Sequence, residues 1–293
     1  MPDVLFCFAL QAIVFSLCTM CGSDSPPQSQ HTMTGDFRTH KIFHSQFLYV
    51  DRDVIVYLPP DYDANSHTRY PVLYLHDGQN LFDGATSYIP GMEWRVDETA
   101  QALITSKIIE PLIIVGIYNA GTERVNEYTP TRDAKQNVGG KADLYGRMIV
   151  EELKPFIDGQ YRTLRDAAHT GTGGSSLGGL VSLHLGLKYP RTFGRIAVVS
   201  PSVWWDDKEI VREVQILNAK PRVRIWLDTG TKEGGNATTN ARLLRDTLIA
   251  KGWKLNVDLM YFEAEGAAHN EAAWAERAGA ILKYLFPNSM KDE

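Results

Sequence analysis

The chain's 293 residues, 44% hydrophobic and 22% charged, are ordinary for a soluble globular protein and allow a sizeable α/β core. With 30 Lys and Arg against 35 Asp and Glu the net charge is −5, and no basic block interrupts the sequence, which argues against a nucleic acid or an anionic membrane surface as the partner. A small molecule or a weakly charged polymer fits better.

Residues 4–20 are nearly all apolar, interrupted by Gln11, and residues 23–30 then turn polar and proline-bearing. This is the outline of a secretory leader followed by a linker. The leader departs from the usual pattern in carrying Asp3 and no Lys or Arg before Arg38. Cys21-Gly22-Ser23 offers small residues for cleavage, whereas Phe15 and Cys18 occupy the place where a lipidation motif has Leu. The expected organisation is a leader and linker over residues 1–35 and a catalytic domain over residues 36–293. A secreted or periplasmic protein follows, with any membrane anchoring confined to the leader. All three cysteines, Cys7, Cys18 and Cys21, fall in that leader, so neither a disulfide nor a thiolate metal site is expected in the domain.

Residues 46–49 and 53–58 alternate like antiparallel strands about an Asp51-Arg52 turn. Residues 72–75 and 112–117 are continuous apolar runs typical of buried parallel strands, with a helix over about residues 96–105 between them. An amphipathic helix is expected over about residues 144–157, with Met148, Ile149, Leu153 and Phe156 on one side. Residues 167–172 read as a short strand, although glycine lowers its propensity. After the glycine-rich run, Leu180, Val181, Leu183, Leu185 and Leu187 make an apolar helix that Tyr189-Pro190 stops. Strands at residues 196–199, 223–227 and 255–259 alternate with helices near Ile210, over residues 241–251 and over residues 271–285. The pattern predicts one α/β domain, a doubly wound, mostly parallel sheet with helices on both faces, whose ligands lie at the carboxyl ends of the strands.

The run Gly173-Gly174-Ser175-Ser176-Leu177-Gly178-Gly179 holds a Gly-x-Ser-x-Gly frame centred on Ser176, where strand gives way to helix. A nucleophile at such a turn takes a strained backbone, and residues without Cβ fit two positions away without clashing. Gly174 and Gly178 therefore select Ser176 over Ser175. There is no Gly-Lys-Ser/Thr for a phosphate loop and no Gly-x-Gly-x-x-Gly spacing. A serine hydroxyl needs a histidine to take its proton and an acid to orient that histidine, in the chain order serine, acid, histidine. Of the two histidines after Ser176, His184 falls inside the helix, facing away from the mouth. His269, in a small-residue loop before the last helix, is the expected base. Glu233 is preferred as the acid on loop position, with Asp228 as the alternative or as a brace accepting backbone N–H bonds. The oxyanion donors are expected to be the N–H groups of Leu177 and of Gln79 in the loop after the third strand.

Val56-Tyr57-Leu58-Pro59-Pro60, Tyr74 through Asp83, Glu93-Trp94, Tyr161-Arg162-Thr163, the elbow, Tyr189-Pro190, Phe193, Ser200-Pro201-Ser202 and Trp204-Trp205 extend the pattern over nearly everything after the leader. Together they make the chain resemble the Putative esterase family of α/β-hydrolases. That family includes esterase D, feruloyl and acetylxylan esterases, siderophore trilactone esterases and mycolyltransferases. The resemblance implies the α/β-hydrolase fold and an acid after a Gly-Thr pair, here Glu233 after Gly230-Thr231-Lys232, where many members carry Asp. It also implies an oxyanion donor at Gln79, or at Gly78 beside it.

Trp94, Trp204 and Trp205 are candidates to line the acyl or alcohol pocket, the alternative being that they pack loops onto the core. Asn236-Ala237-Thr238 is a glycosylation sequon by pattern, but Asn236 directly before a helix reads as its N-cap. No His-Glu-x-x-His or comparable ligand spacing occurs, so no metal or other cofactor is expected. The expected protein is a serine carboxylic ester hydrolase without a large cap, its mouth shaped by residues 81–94 and 119–141, acting on short acyl or acylated-carbohydrate esters. The rival readings are an acyltransferase or siderophore trilactone esterase on the same scaffold, and a non-catalytic carbohydrate-binding protein.

Overall fold

The computed structural model describes residues 31–288; the leader and cleavage point expected from the sequence, and the three cysteines, lie outside the described residues. In chain order the strands are β1 (Asp36–Phe43), β2 (Arg52–Leu58), β3 (Val72–His76), β4 (Ile113–Ile117), a two-residue pair β5 (Arg132–Asp133) and β6 (Val138–Gly139), then β7 (Thr170–Ser175), β8 (Arg195–Val199), β9 (Arg224–Gly230) and β10 (Leu259–Ala264). The helices are α1 (Val96–Thr105), α2 (Arg124–Glu127), α3 (Ala142–Arg147), α4 (Lys154–Gln160), α5 (Leu177–Lys188), α6 (Trp205–Ile216), α7 (Ala237–Lys251) and α8 (Glu271–Leu285). A π-helical segment, Met148–Leu153, joins α3 to α4, so the single helix read from the sequence is continuous but widened in its middle.

The main sheet has eight strands in the order β1-β2-β4-β3-β7-β8-β9-β10. β1 with β2 and β2 with β4 pair antiparallel; every other neighbouring pair is parallel. This is the α/β-hydrolase arrangement, and it follows from side chains that alternate between two apolar layers. Val54 and Val56 of β2 point to the layer formed with Tyr145, Met148, Leu153, Val181 and Leu185, while Ile55 and Tyr57 point to the opposite layer with Ala100, Ile104, Ile281 and Leu285. Farther along the sheet Ile196, Ile225 and Leu227 pack under Val211, Leu244 and Leu248. Helices α1 and α8 thus cover one face and α3 through α7 the other.

Three strand positions differ from the sequence reading. Residues 46–49 form no strand, because the Gln46 N–H is taken by the Glu152 carboxylate (3.0 Å) and not by a neighbouring strand, and β1 occupies the pairing edge instead. β7 begins three residues later than expected; residues 167–169 make one 3₁₀ turn whose Ala168 N–H bonds the Asp166 side chain at 3.0 Å. The glycines of β7 belong to the strand because a Cβ built at Gly173 would stand 2.7 Å from the Ala197 Cβ. The last strand is β10, not residues 255–259: the Lys254 carbonyl accepts N–H bonds from Val257, Asp258 and Leu259, closing that segment into a turn. Residues 31–34, read as linker, are tied to the domain by the Thr34 N–H on Asp97 (2.6 Å) and the Thr32 hydroxyl on Glu93 (2.6 Å).

α5 enters directly from β7 and lies so close to β8 that a Cβ at Gly179 would stand 2.8 Å from the Val199 carbonyl oxygen, a backbone atom that cannot swing away. Gly179→Val is expected to lower stability by about 1–3 kcal/mol through overpacking. A urea unfolding curve checks this, and an unchanged midpoint would mean that the helix can lift from the sheet freely.

Candidate active site

Ser176 stands between β7 and α5 with φ 59° and ψ −120°, a left-handed conformation uncommon for a residue bearing Cβ. Its N–H donates to the Val199 carbonyl (3.0 Å), and its carbonyl accepts from Leu180 (3.1 Å) and Ser202 (3.0 Å). These bonds fix the turn from β8, from the loop that follows it and from the helix. Leu177 is the first residue of α5, so its N–H has no acceptor within the helix and lies at the positive end of the helix dipole. On the opposite side, β3 is followed by Asp77 (φ 58°) and a single 3₁₀ turn, Gly78–Asn80. A Cβ at Gly78 would stand 2.6 Å from the Gly116 carbonyl carbon, so this residue must be glycine for β3 to turn against β4. Gln79 is held by its carbonyl, which accepts from Thr86 Oγ1 (2.7 Å), and by its Oε1, which accepts from the Asn119 N–H (3.2 Å). Gln79 borders the cavity beside Ser176, whereas Gly78 does not.

His269 Nδ1 and Glu233 Oε2 are 3.0 Å apart, which leaves Nε2 as the ring nitrogen open to another partner. The Glu233 side chain is 2% exposed. Its Oε1 accepts from the Gly230 N–H (2.6 Å) and from the Ser200 hydroxyl, which itself accepts from Trp274 Nε1 (3.0 Å) and Arg277 Nη2 (2.9 Å). Burial alone would push the Glu233 carboxyl up, but the bonds from His269, Ser200 and Gly230 outweigh it and hold the group below its usual range. Asp228 does not reach His269. It is fully buried, accepts from the Ser200 N–H (3.1 Å) and Trp226 Nε1 (2.7 Å), and is pushed up to about 6 by burial despite Arg277 nearby. The structure therefore brings Glu233, and not Asp228, to the imidazole.

Ser176 and His269 are both shared by the walls of two cavities, of about 380 and 520 Å³. Ser176 Oγ hydrogen-bonds Ser202 Oγ (3.2 Å); among the described residues it makes no bond to His269, a contact that in serine hydrolases commonly tightens when substrate binds. The first cavity also carries Arg124, bound through two 2.7 Å contacts to Asp77, and Asn119, which donates to the same carboxylate. The second carries Trp204. Trp94 and Trp205 line neither cavity: Trp94 is 4% exposed against Trp274, and Trp205 is 1% exposed with its Nε1 on the Thr131 carbonyl. Their ring faces are spent on loop packing, which corrects their reading as pocket residues. His184 is buried between Glu213 and Asp143, which raise it to about 9 against the opposing effect of burial, and it takes no part in the site. Asn236 occupies the N-cap position of α7, but its side chain makes no capping bond.

The sequence reading assigned no role in the site to Arg124, Ser200 or Arg277. Arg277 had a legible signal, a charge within the apolar stripe formed by Trp274, Ala278 and Ile281 of α8. Arg124 opens the one-turn helix α2, too short for its sequence to show a helical pattern that would mark it. Among the described residues no group of three or more His, Cys, Asp or Glu could hold a metal ion, and no helix is long and apolar enough to cross a membrane.

The family described as Putative esterase matches residues 45–285. Uncharacterized protein YbbA of Bacillus subtilis is 27% identical over 267 residues, spanning 87% of this chain and 97% of that protein. Iron(III) salmochelin esterase of Escherichia coli is 28% identical over 74% of this chain and 52% of its own length. An endo-1,4-beta-xylanase/feruloyl esterase of Xylanibacter ruminicola is 26% identical over 79% of this chain and 29% of its own. Among solved structures, the BES protein from Bacillus cereus superposes with a TM-score of 0.68 at 23% identity, covering 90% of this chain and 99% of that one.

Folded Asp228, at about 6, holds its proton more tightly than an unfolded aspartate at about 3.9, so it favours folding at low pH and that contribution is lost as pH rises toward 6. Glu233 has the opposite sign: its contribution is present at neutral pH and is lost on acidification through its lowered folded value. Asp228→Asn is expected to flatten the stability profile between about pH 4 and 6 by on the order of 1–3 kcal/mol. Urea midpoints across that range measure it, and an unaltered slope would contradict the assignment.

Proposed function

The chain belongs to the Putative esterase family and is a carboxylic ester hydrolase; from that premise we propose that Ser176 is its nucleophile, His269 its general base, and Glu233 the acid that orients the imidazole. The observation that carries this reading is the 3.0 Å contact between His269 Nδ1 and a buried Glu233, with Ser176 across the same two cavities. As His269 Nε2 takes the Ser176 proton, Oγ attacks the ester carbonyl, and the imidazolium is stabilised by the Glu233 carboxylate. The carbonyl oxygen becomes an oxyanion facing the N–H groups of Leu177 and Gln79, each such donor being worth about 2.7–4 kcal/mol in the transition state. His269 then returns the proton to the departing alkoxide, leaving an acyl-enzyme, and water repeats the sequence to release the acid.

The preferred substrates are short acyl or acylated-carbohydrate esters. The site opens at the strand ends between loops, and one of the relatives is named a feruloyl esterase. A siderophore ester is the second reading, favoured by the similarity to the salmochelin esterase. The apolar leader over residues 4–20 supports a secreted or periplasmic location.

A hydrolysis panel of p-nitrophenyl acyl esters, acetylated and feruloylated saccharides and a siderophore trilactone tests this reading. Ser176→Ala is expected to lower kcat by about 10⁴-fold or more on every substrate the unmodified enzyme accepts. Activity within tenfold of the unmodified enzyme would show that another group attacks.

A further inference from the structure

A further cavity, of about 1070 Å³, lies at the amino ends of β8 and β9, where its walls carry five basic side chains, Arg191, Arg195, Lys220, Arg222 and Arg224, against one acid, Asp258. These residues are scattered along the chain, so the sequence shows no basic block. The sheet gathers them, because β8 and β9 run parallel with Arg195 and Arg224 as register partners. Adjacent strands lie about 4.8 Å apart, so two guanidinium-bearing side chains leave the sheet side by side, an arrangement that lowers stability unless something compensates it. The place is remote from the elbow: Ser176 stands immediately before the first residue of α5 and Arg191 lies beyond its last, roughly 18 Å away along the helix.

Compensation from within the protein is partial. Arg195 pairs with Glu110, and Lys220 pairs with Asp258, whose other oxygen accepts from the Lys254 N–H (2.6 Å). The remaining three arginines have no carboxylate: Arg224 donates to the Tyr284 carbonyl (3.1 Å), and Arg191 and Arg222 make no hydrogen bond or ion pair among the described residues. Acids are not scarce, since the chain holds 35 Asp and Glu against 30 Lys and Arg. The uncompensated charge therefore matches an anion supplied from outside. The walls narrow its chemistry: apart from the charged groups they are alanine, proline, glycine and valine. They offer no aromatic face on which a base or sugar ring could stack, and no amide or hydroxyl for its polar edge. What they do offer is the arginine fork, which fits phosphate oxygens two at a time, and two phosphate groups carry about three to four charges near neutral pH.

We propose that this cavity is a binding site for a ligand bearing two neighbouring phosphate groups, carried by a soluble diphosphate or by a phosphorylated lipid headgroup, with Arg191, Arg222 and Arg224 as its anion-binding residues. Titration calorimetry of the full chain with inorganic pyrophosphate at low salt is expected to show one saturable site, weakening as salt is raised. Arg191→Ala and Arg222→Ala, neither of which removes a contact within the protein, are each expected to lower the affinity about tenfold or more. Arg245→Ala, a change on α7 at a residue that does not line the cavity, is expected to leave it as it was. Absence of saturable pyrophosphate binding, an equal loss in all three variants, or tighter binding of citrate than of pyrophosphate overturns the proposal. A second arm separates the two sources, using phosphatidylcholine vesicles doped with a bisphosphorylated phosphatidylinositol. Vesicle capture that is lost in both cavity variants and displaced by pyrophosphate identifies the lipid headgroup; pyrophosphate binding without vesicle capture identifies a soluble diphosphate. None of these readouts requires turnover, so this site and the catalytic assignment stand or fall separately.

Discussion

The strained backbone of Ser176 is the constraint on which the rest of the site depends. A serine at φ 59° and ψ −120° is held against a cost of about 1–3 kcal/mol, which the surrounding structure must supply. It does so through backbone bonds to Val199, Leu180 and Ser202 and through glycines that let α5 close on β7 and β8. Because the strain is absorbed by the centre of a parallel sheet with both faces covered, the hydroxyl is presented at the strand ends while the Leu177 N–H, at the start of α5, stays open. The elbow and the oxyanion donor are therefore one feature of the backbone.

The acid side is organised by burial. Glu233 sits just past β9, and one hydroxyl, that of Ser200 at the end of β8, links it to Trp274 and Arg277 of α8. Arg277 lies within 3.6 Å of Asp228 and 3.8 Å of Glu233, so a single guanidinium faces two buried carboxylates. Removing one partner of such an arrangement costs far more than a surface pair, because the others are left charged in a poor solvent. The consequence for function is directional: Oε1 of Glu233 is fully engaged by Ser200 and Gly230, and Oε2 is committed to the imidazole, which also stands edge-on to Trp274 with ring centroids 5.0 Å apart. α8, the last helix of the chain, thereby reaches the chemistry without contributing a reacting group.

Much of this was legible in the sequence because strong local patterns carry it. The apolar runs at β3 and β4, the helix periods of α1 and α8, and the glycine frame around Ser176 each follow from rules that act over a few residues. What was not legible depends on partners far away in the chain. Residues 46–49 alternate like a strand but bond Glu152, a hundred residues on, and Trp94 and Trp205 look like pocket walls until Trp274 and Thr131 cover them. The choice between Asp228 and Glu233 likewise turned on which carboxylate the Ser200 and Trp226 N–H groups had already claimed. Trp204 alone of the three tryptophans kept an open face.

The most direct measurement is active-site labelling. An alkyl fluorophosphonate incubated with the full chain, followed by proteolysis and mass spectrometry, reads which hydroxyl is activated. Stoichiometric modification of Ser176 that disappears in His269→Ala is the result predicted here. Modification of Ser202, whose Oγ lies 3.2 Å away, or labelling of Ser176 that survives loss of His269, would contradict the assignment of nucleophile and base.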